Sequence, residues 1–395
     1  MKSVADVRVE GRRVLVRVDF NVPIKDGTIT DDTRIRAALP TIDLLRERGA
    51  RIILMSHLGR PKGGPDPAFS LKPVAARLAE LTGANVQCAE DVVGPSAQAC
   101  LERLAPGEIL LLENIRFEPG ETANDPEFSK ALAAFADVYV DDAFGSVHRA
   151  HASTEGVTHY VDEVAAGLLL QREVAQLGAI IADPKRPLVA VLGGSKVTDK
   201  IKVIERFLQI ADTVLIGGAM CFPFLQVEDH SVGTSMCEAD GLEPARAALE
   251  GAASHRAELV LPSDLGLAER YDADAPRRDI DGVDVPDGWM GLDIGPRTAE
   301  RYAAAIAVAG TVFWNGPMGV FEFAAFAAGT RAVAEAVAHA PGTTVVGGGD
   351  SAAALRQFGL EGSVTHLSTG GGVTLQLLEG SPLPGIEALN KDEVA

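Results

Sequence analysis

Arginine and histidine recur in the first half of the chain at one type of position. Arg17 lies in the run Val14-Leu-Val-Arg-Val-Asp-Phe-Asn-Val. A period of two there puts Arg17, Asp19 and Asn21 on one face and Val16, Val18, Phe20 and Val22 on the other. Three polar groups converging near a strand end read as a ligand platform, the alternative being a solvent-facing strand edge. Arg34 opens a helical pattern behind Asp31-Asp32-Thr33, which offers N-cap residues. His57 and Arg60 follow the apolar run Ile52–Met55, and Arg116 follows Ile109–Leu112. Arg149, flanked by His148 and His151, follows Val138–Val140. Each alone reads as a loop cation; their recurrence after successive strands does not. Guanidinium groups hold carboxylate and phosphate through paired hydrogen bonds, so the set suits a small phosphorylated acid.

The second half replaces arginine by glycine. Leu188–Leu192 followed by Gly193-Gly-Ser-Lys-Val-Thr-Asp-Lys reads as strand, glycine turn and helix. Such a turn lets backbone approach phosphate, and the helix start offers unpaired N–H groups. Lys196 and Lys200, four apart, are expected on one face of the first turns. Their charge opposes the helix dipole there, a cost that a bound polyanion offsets. The spacing is not GxxxxGK[ST], and no loop carries a sound GxGxxG, so Walker and dinucleotide sites are not indicated. Gly347-Gly-Gly-Asp-Ser opens another helix, where Asp350 either coordinates Mg²⁺ shared with phosphates or caps the helix. Glu322, after Gly316-Pro-Met-Gly-Val-Phe, either accepts ribose hydroxyls or faces solvent, and Ser368-Thr-Gly-Gly-Gly opens a third glycine-rich turn. Together these loops point to a nucleotide.

Alternating elements must position these groups. Strand-like runs occur at Val14–Val18, Ile52–Met55, Ile109–Leu112, Val138–Val140, Leu188–Leu192, Thr213–Ile216, Leu259–Leu261, Thr311–Trp314 and Thr343–Val346. Helical patterns such as Thr33–Arg48, Leu71–Leu81, Val197–Ile210 and Ala299–Ala309 lie between them. This is the signature of an α/β protein with parallel sheets flanked by helices, whose ligands gather at the carboxyl ends of the strands. Two loop chemistries imply two domains with different ligands, joined by a connecting helix over Ala165–Ile181 that stops at Asp183-Pro-Lys-Arg-Pro. The acidic stretch Tyr271–Asp287, with six aspartates among turn formers, reads as a solvated loop or hairpin.

Composition bounds the partners. Of 395 residues, 55 are acidic and 36 basic, a net charge of −19 that argues against nucleic acid while leaving room for a local basic pocket. The deficit is uneven: residues 1–165 hold 19 basic and 25 acidic side chains, and 166–395 hold 17 and 30. Cys88, Cys100, Cys221 and Cys237 lie far apart with no CxxC pair, as expected of reduced thiols. Neither an apolar signal core after Met1 nor a run of eighteen apolar residues is present, so a soluble, cytoplasmic protein without membrane partners is expected.

The ordered motifs carry a resemblance. Arg17-Val-Asp-Phe-Asn-Val-Pro, Ser56-His-Leu-Gly-Arg-Pro, Leu112-Glu-Asn-Ile-Arg-Phe and Asp142-Ala-Phe-Gly-Ser-Val-His-Arg-Ala-His come first. Leu192-Gly-Gly-Ser-Lys-Val-Thr-Asp-Lys-Ile, Trp314-Asn-Gly-Pro-Met-Gly-Val-Phe-Glu, Gly347-Gly-Gly-Asp-Ser and Ser368-Thr-Gly-Gly-Gly follow. In this order the chain resembles the phosphoglycerate kinases over essentially its whole length. The resemblance implies two Rossmann-like domains, bilobal with a central cleft. The expected division is an acid-binding domain over 1–165 joined by segment 370–395, an interdomain helix over 166–184, and a nucleotide domain over 185–369. It implies phosphoryl transfer between 1,3-bisphosphoglycerate and ADP, giving 3-phosphoglycerate and ATP, with Mg²⁺, in a monomer that closes on its substrates. By the same resemblance Asp19, Asn21, Arg34, His57, Arg60, Arg116 and Arg149 hold the acid, with Arg17 supporting them. Gly194, Lys196, Lys200, Gly217, Gly218, Gly291, Leu292, Asn315, Glu322, Gly348, Gly349, Asp350 and Ser351 take the nucleotide, Asp350 being the metal ligand. Arg34, Lys196, Lys200, Gly371 and Gly372 act on the moving group. Phosphoryl transfer to a carboxylate or to ADP needs positioning and charge neutralisation but no general base, which agrees with a site of cations and glycine N–H groups. Ala219, Pro223, Thr234 and Met318 depart from the family's usual residues around the nucleotide.

Overall fold

A computed structural model describes residues 1–62 and 64–390. The chain divides into two compact units, one formed by Met1–Ala175 with the segment from Pro382 onward, the other by Gln176–Ser381. The first holds β1 Arg13–Val18, β2 Ile24–Lys25, β3 Thr28–Ile29, β4 Arg51–Met55, β5 Val86–Cys88, β6 Ile109–Leu111, β7 Val138–Asp142 and β8 Val164–Ala166. Apart from the short antiparallel hairpin β2–β3, these strands form one parallel sheet in the order β5-β6-β4-β1-β7-β8. β1 is therefore central, paired with β4 and β7, and Val14 to Val18 are buried. A strand covered on both faces cannot be the solvent-facing edge that its alternating polar residues also allowed.

The second unit holds β9 Leu188–Leu192, β10 Thr213–Ile216, β11 Glu258–Val260, β12 Leu265–Ala268, β13 Arg278–Ile280, β14 Met290–Ile294, β15 Thr311–Asn315, β16 Thr343–Gly347 and β17 His366–Leu367. Its parallel sheet runs β11-β10-β9-β15-β16-β17, so the order reverses between β9 and β15. Loops leaving such a switch point diverge and open a crevice. Its core packs Val191, Leu215, Val312 and Trp314 of the sheet against Tyr302, Ile306, Val333 and Val337 of the helices. A separate antiparallel sheet, β13-β12-β14, stands beside it. Strand β13 lies within the acidic stretch, which is therefore only partly loop.

Several helix ends differ from the periodicity. The helix expected from Val197 starts at Ile201, because Glu238 accepts hydrogen bonds from the N–H and hydroxyl of Thr198 and holds that segment as turns. Lys196 and Lys200 therefore precede the helix and do not share one of its faces. The helix expected from Ala299 starts at Pro296, where proline needs no N–H partner and Asp264 accepts from the N–H groups of Arg297 and Thr298. The connecting helix covers Leu168–Ala182, since Ala165 belongs to β8. The division between units falls inside this helix, and the chain rejoins the first unit at Pro382 rather than at Gly370. Helix Gly372–Glu379 packs on Ile201–Ile210 of the second unit, which keeps residues 370–381 there.

Candidate functional site

The first unit gathers its cations at the carboxyl end of the central strands. His57, just past β4, is buried. Burial, and then the charges of Arg17, Arg116, Arg34 and Arg149, hold its pKa well below the usual histidine value, so the imidazole is neutral. Its Nδ1 accepts from Arg17 Nη2 at 3.1 Å. Arg17 itself is only 1% exposed, and its other nitrogens donate to Ser153 Oγ at 2.9 Å and to the Val18 carbonyl. Ser153 Oγ in turn donates to Glu121 Oε1 at 2.7 Å, which supplies a buried countercharge. Arg17 thus braces the site from beneath rather than facing a ligand.

Above it, Arg34 spans both oxygens of Asp19 at 2.8 and 2.9 Å. Asn21 Oδ1 accepts from the Gly59 N–H at 2.8 Å, and Arg116 donates to the Gly59 carbonyl. Burial followed by the charges of Arg149 and Arg17 lowers the Arg116 pKa. Arg149 Nε donates to His148 Nε2 at 2.9 Å, and burial with the Arg149 charge brings His148 down to about 4. Arg60, Arg116 and Arg149 line a basin of about 460 Å³ together with His151. This concentration of cations around a neutral imidazole is suited to an anion. An anion relieves the mutual repulsion that the pKa shifts record.

In the second unit the loops after β9, β10, β15 and β16 meet. Lys200 Nζ donates to the carbonyls of Gly193 and Asn315, the latter at 3.0 Å. Burial pulls its pKa down to about 8, partly offset by Asp350 and Asp199. Gly316, at φ 97°, cannot carry a side chain: a Cβ would stand 2.3 Å from the Gly193 carbonyl oxygen. Its N–H donates to Ser351 Oγ at 2.6 Å, while Asn315 Nδ2 donates to the Gly347 carbonyl at 2.8 Å. Asn315 and Ser351 therefore tie loops together. Gly348 precedes helix Gly349–Phe358, whose first turn presents Asp350 to solvent.

Beside these loops lies a cavity of about 520 Å³ in which Gly194, Gly218, Gly291, Leu292, Glu322 and Asp350 come together. Gly217 is not among its walls, because Met318 packs over it, and Met318, Ala219 and Thr234 line the cavity instead. Pro223 is buried in the neighbouring helix. Lys196 is exposed, and Gly371, with Gly372 after it, opens the helix Gly372–Glu379 outside the cavity lining. Phe222, Tyr271 and Met290 are among the walls that the sequence did not point to. A lone apolar or aromatic side chain, whether in an apolar run like Phe222 or in an acidic stretch like Tyr271, carries no signal that marks it as a pocket wall. Glu121 and Ser153 were likewise unread, because nothing local links a carboxylate to a serine 32 positions on.

Among the described residues no helix is long and apolar enough to cross a membrane, and no cluster of three metal-ligating side chains exists. All four cysteines are free thiols. A sequence profile of the phosphoglycerate kinases matches residues 4–381. Phosphoglycerate kinase of Moorella thermoacetica is 54% identical over 389 residues, 98% of this chain and 99% of that one. The enzyme of Rubrobacter xylanophilus is 54% identical over 392 residues, covering 99% of each. Among solved structures, phosphoglycerate kinase from Coxiella burnetii aligns at a TM-score of 0.89 and 41% identity, covering 99% of both chains. That from Pyrococcus horikoshii aligns at 0.86 and 33%, covering 99% of this chain and 98% of the other. With motifs, strand order and relatives in agreement, the chain belongs to the phosphoglycerate kinase family, which transfers a phosphoryl group between 1,3-bisphosphoglycerate and ADP.

Proposed function

We propose that the chain performs this transfer with the three-carbon acid in the arginine basin of the first unit and the nucleotide in the cavity of the second. The observation that carries the assignment is the convergence of Arg60, Arg116 and Arg149 with His151 on one basin of the first unit. Three guanidinium groups facing one basin repel one another, and a bound anion offsets that repulsion. Arg60, Arg116 and Arg149 hold the phosphate end, while Asp19, Asn21 and His57 read the hydroxyl and carboxyl end. Arg34, held by Asp19 until substrate arrives, moves to the transferring group.

On the nucleotide side, Leu292 and the glycines at 218 and 291 receive the base, and Glu322 the ribose hydroxyls. Gly194, Lys196 and Lys200 meet the phosphates, with the N–H groups of residues 348–351 and 371–372. Asn315 keeps these loops in register. Asp350 fits Mg²⁺: it is one exposed carboxylate at a helix start, and a magnesium ion held mostly by phosphate and water needs little more. When bound, the metal neutralises phosphate charge. The protein's own part is to align the acceptor, exclude water on closure, and surround the moving group with Arg34, Lys200 and backbone N–H groups. We assign this activity to a cytoplasmic monomer.

Calorimetric titration tests the acid site. Arg116→Ala and Arg149→Ala are each expected to weaken 3-phosphoglycerate binding by about tenfold or more, leaving ADP affinity within about twofold. Unchanged 3-phosphoglycerate affinity in both variants refutes the assignment.

A further inference from the structure

The acidic stretch after β12 contains one side chain that does not behave as a surface residue. Arg277 is 17% exposed at its side chain and crosses β12 at Gly266, where a Cβ would sit 2.7 Å from the guanidinium. Its Nη1 donates to Asp293 Oδ2 at 2.7 Å and to the Ala325 carbonyl at 3.1 Å. Its Nη2 donates to the Ile294 carbonyl at 3.1 Å, and its Nε to Asp279 Oδ1 at 2.8 Å. Asp293 is fully buried and also accepts the N–H groups of Ile294 and Gly329. One planar fork therefore bridges three pieces of chain: β13 through Asp279, the end of β14, and the segment 320–326.

Two of those pieces form a wall of the second-unit cavity. β14 contributes Met290 to Ile294, and segment 320–326 contributes Val320 and Glu322. Tyr271, on the stretch that leads to Arg277, also lines the cavity, and its ring packs on Phe323 at 5.0 Å between centroids. Arg277 itself is not a lining residue.

We propose that Arg277 is a positioning residue for the nucleotide, locking β14 to segment 320–326 so that Leu292 and Glu322 are held at a fixed separation. The inference rests on the reading of this cavity as the nucleotide site. Burial lifts the Asp293 carboxyl to about 6 even beside the guanidinium, so removing the cation leaves a buried acid with no charge partner. The wall then loses its tie at both ends, and the expected loss is in ADP binding rather than in the chemical step.

Steady-state kinetics and ADP calorimetry on the full chain give the test. Arg277→Met is expected to raise the KM and Kd for ADP about fivefold or more, with kcat and the 1,3-bisphosphoglycerate KM within about twofold. Arg277→Lys keeps the charge but not the fork, and is expected to recover part of that loss. Unchanged ADP affinity in folded Arg277→Met overturns the proposal, as does an equal rise in both KM values. Where Arg277→Met does not fold, Arg277→Lys decides: a rise in ADP Kd of about threefold supports the role, and no change refutes it. Ala219→Phe, which fills the cavity, separates the two readings. If ADP still binds that variant normally, the cavity assignment falls and this inference falls with it. If Ala219→Phe loses ADP while Arg277→Met retains it, only the role of Arg277 falls.

Discussion

Lys200 shows how much a single residue's role depends on its surroundings. Its place after Gly193-Gly-Ser-Lys makes it a candidate phosphate ligand in sequence, but its geometry is not legible there. The ammonium is turned back onto two strand-end carbonyls, and burial brings its pKa from 10.5 to about 8. The folded state therefore binds fewer protons than the unfolded one between pH 8 and 10.5. This group's cost to stability is present below pH 8 and fades as pH rises through that window. Nucleotide phosphates favour the charged form, so ADP binding near pH 8.5 should take up protons, an expectation of about the half-titrated lysine. Calorimetry in buffers of different ionisation enthalpy measures this. Lys200→Met should abolish the uptake, and persistence of uptake in that variant assigns it to another group.

Among elements, the connecting helix Leu168–Ala182 has a start that depends on distant side chains. Its first N–H groups are taken by side chains from elsewhere in the chain. Leu168 N–H donates to Thr41 Oγ1 at 2.9 Å, and those of Leu169 and Leu170 donate to Asp142 Oδ1 at 2.9 and 3.2 Å. No capping residue precedes the helix in sequence, because the cap is delivered by the end of β7. Asp142→Ala should cost about 2 kcal/mol, the upper range for a lost helix cap, measured by urea unfolding. Asp142→Asn keeps the accepting oxygen and should cost less. Burial raises the Asp142 pKa from 3.8 to about 7, so its protonation favours the fold below pH 3.8 and that contribution is lost as pH rises to 7. The asparagine variant should therefore lose less stability than the wild type across that window. An identical pH profile for the two proteins rules out Asp142 as the titrating group.

For the whole molecule, a net charge of −19 repels a phosphorylated acid, against which the proposed site sets the arginine basin. On that reading, charges within a Debye length of an anion seated in the basin outweigh those spread over the rest of the surface. The KM for 3-phosphoglycerate should rise about threefold between about 50 and 300 mM KCl at constant kcat. A KM that falls with salt contradicts local control. The alternation of strands and helices, the arginine-bearing loops of one half and the glycine-bearing loops of the other follow from the sequence alone, because periodicity and loop chemistry are local properties. Tertiary structure alone decided the rest: that Arg17 braces His57 from below, that Lys200 lies outside its helix, that Asp142 caps a helix begun 26 residues later (168 − 142), and that Arg277 leaves an acidic stretch for a buried carboxylate. Each of these depends on which distant segments a sheet brings side by side, and on the cost of burying a polar group unpaired, which residue spacing does not encode.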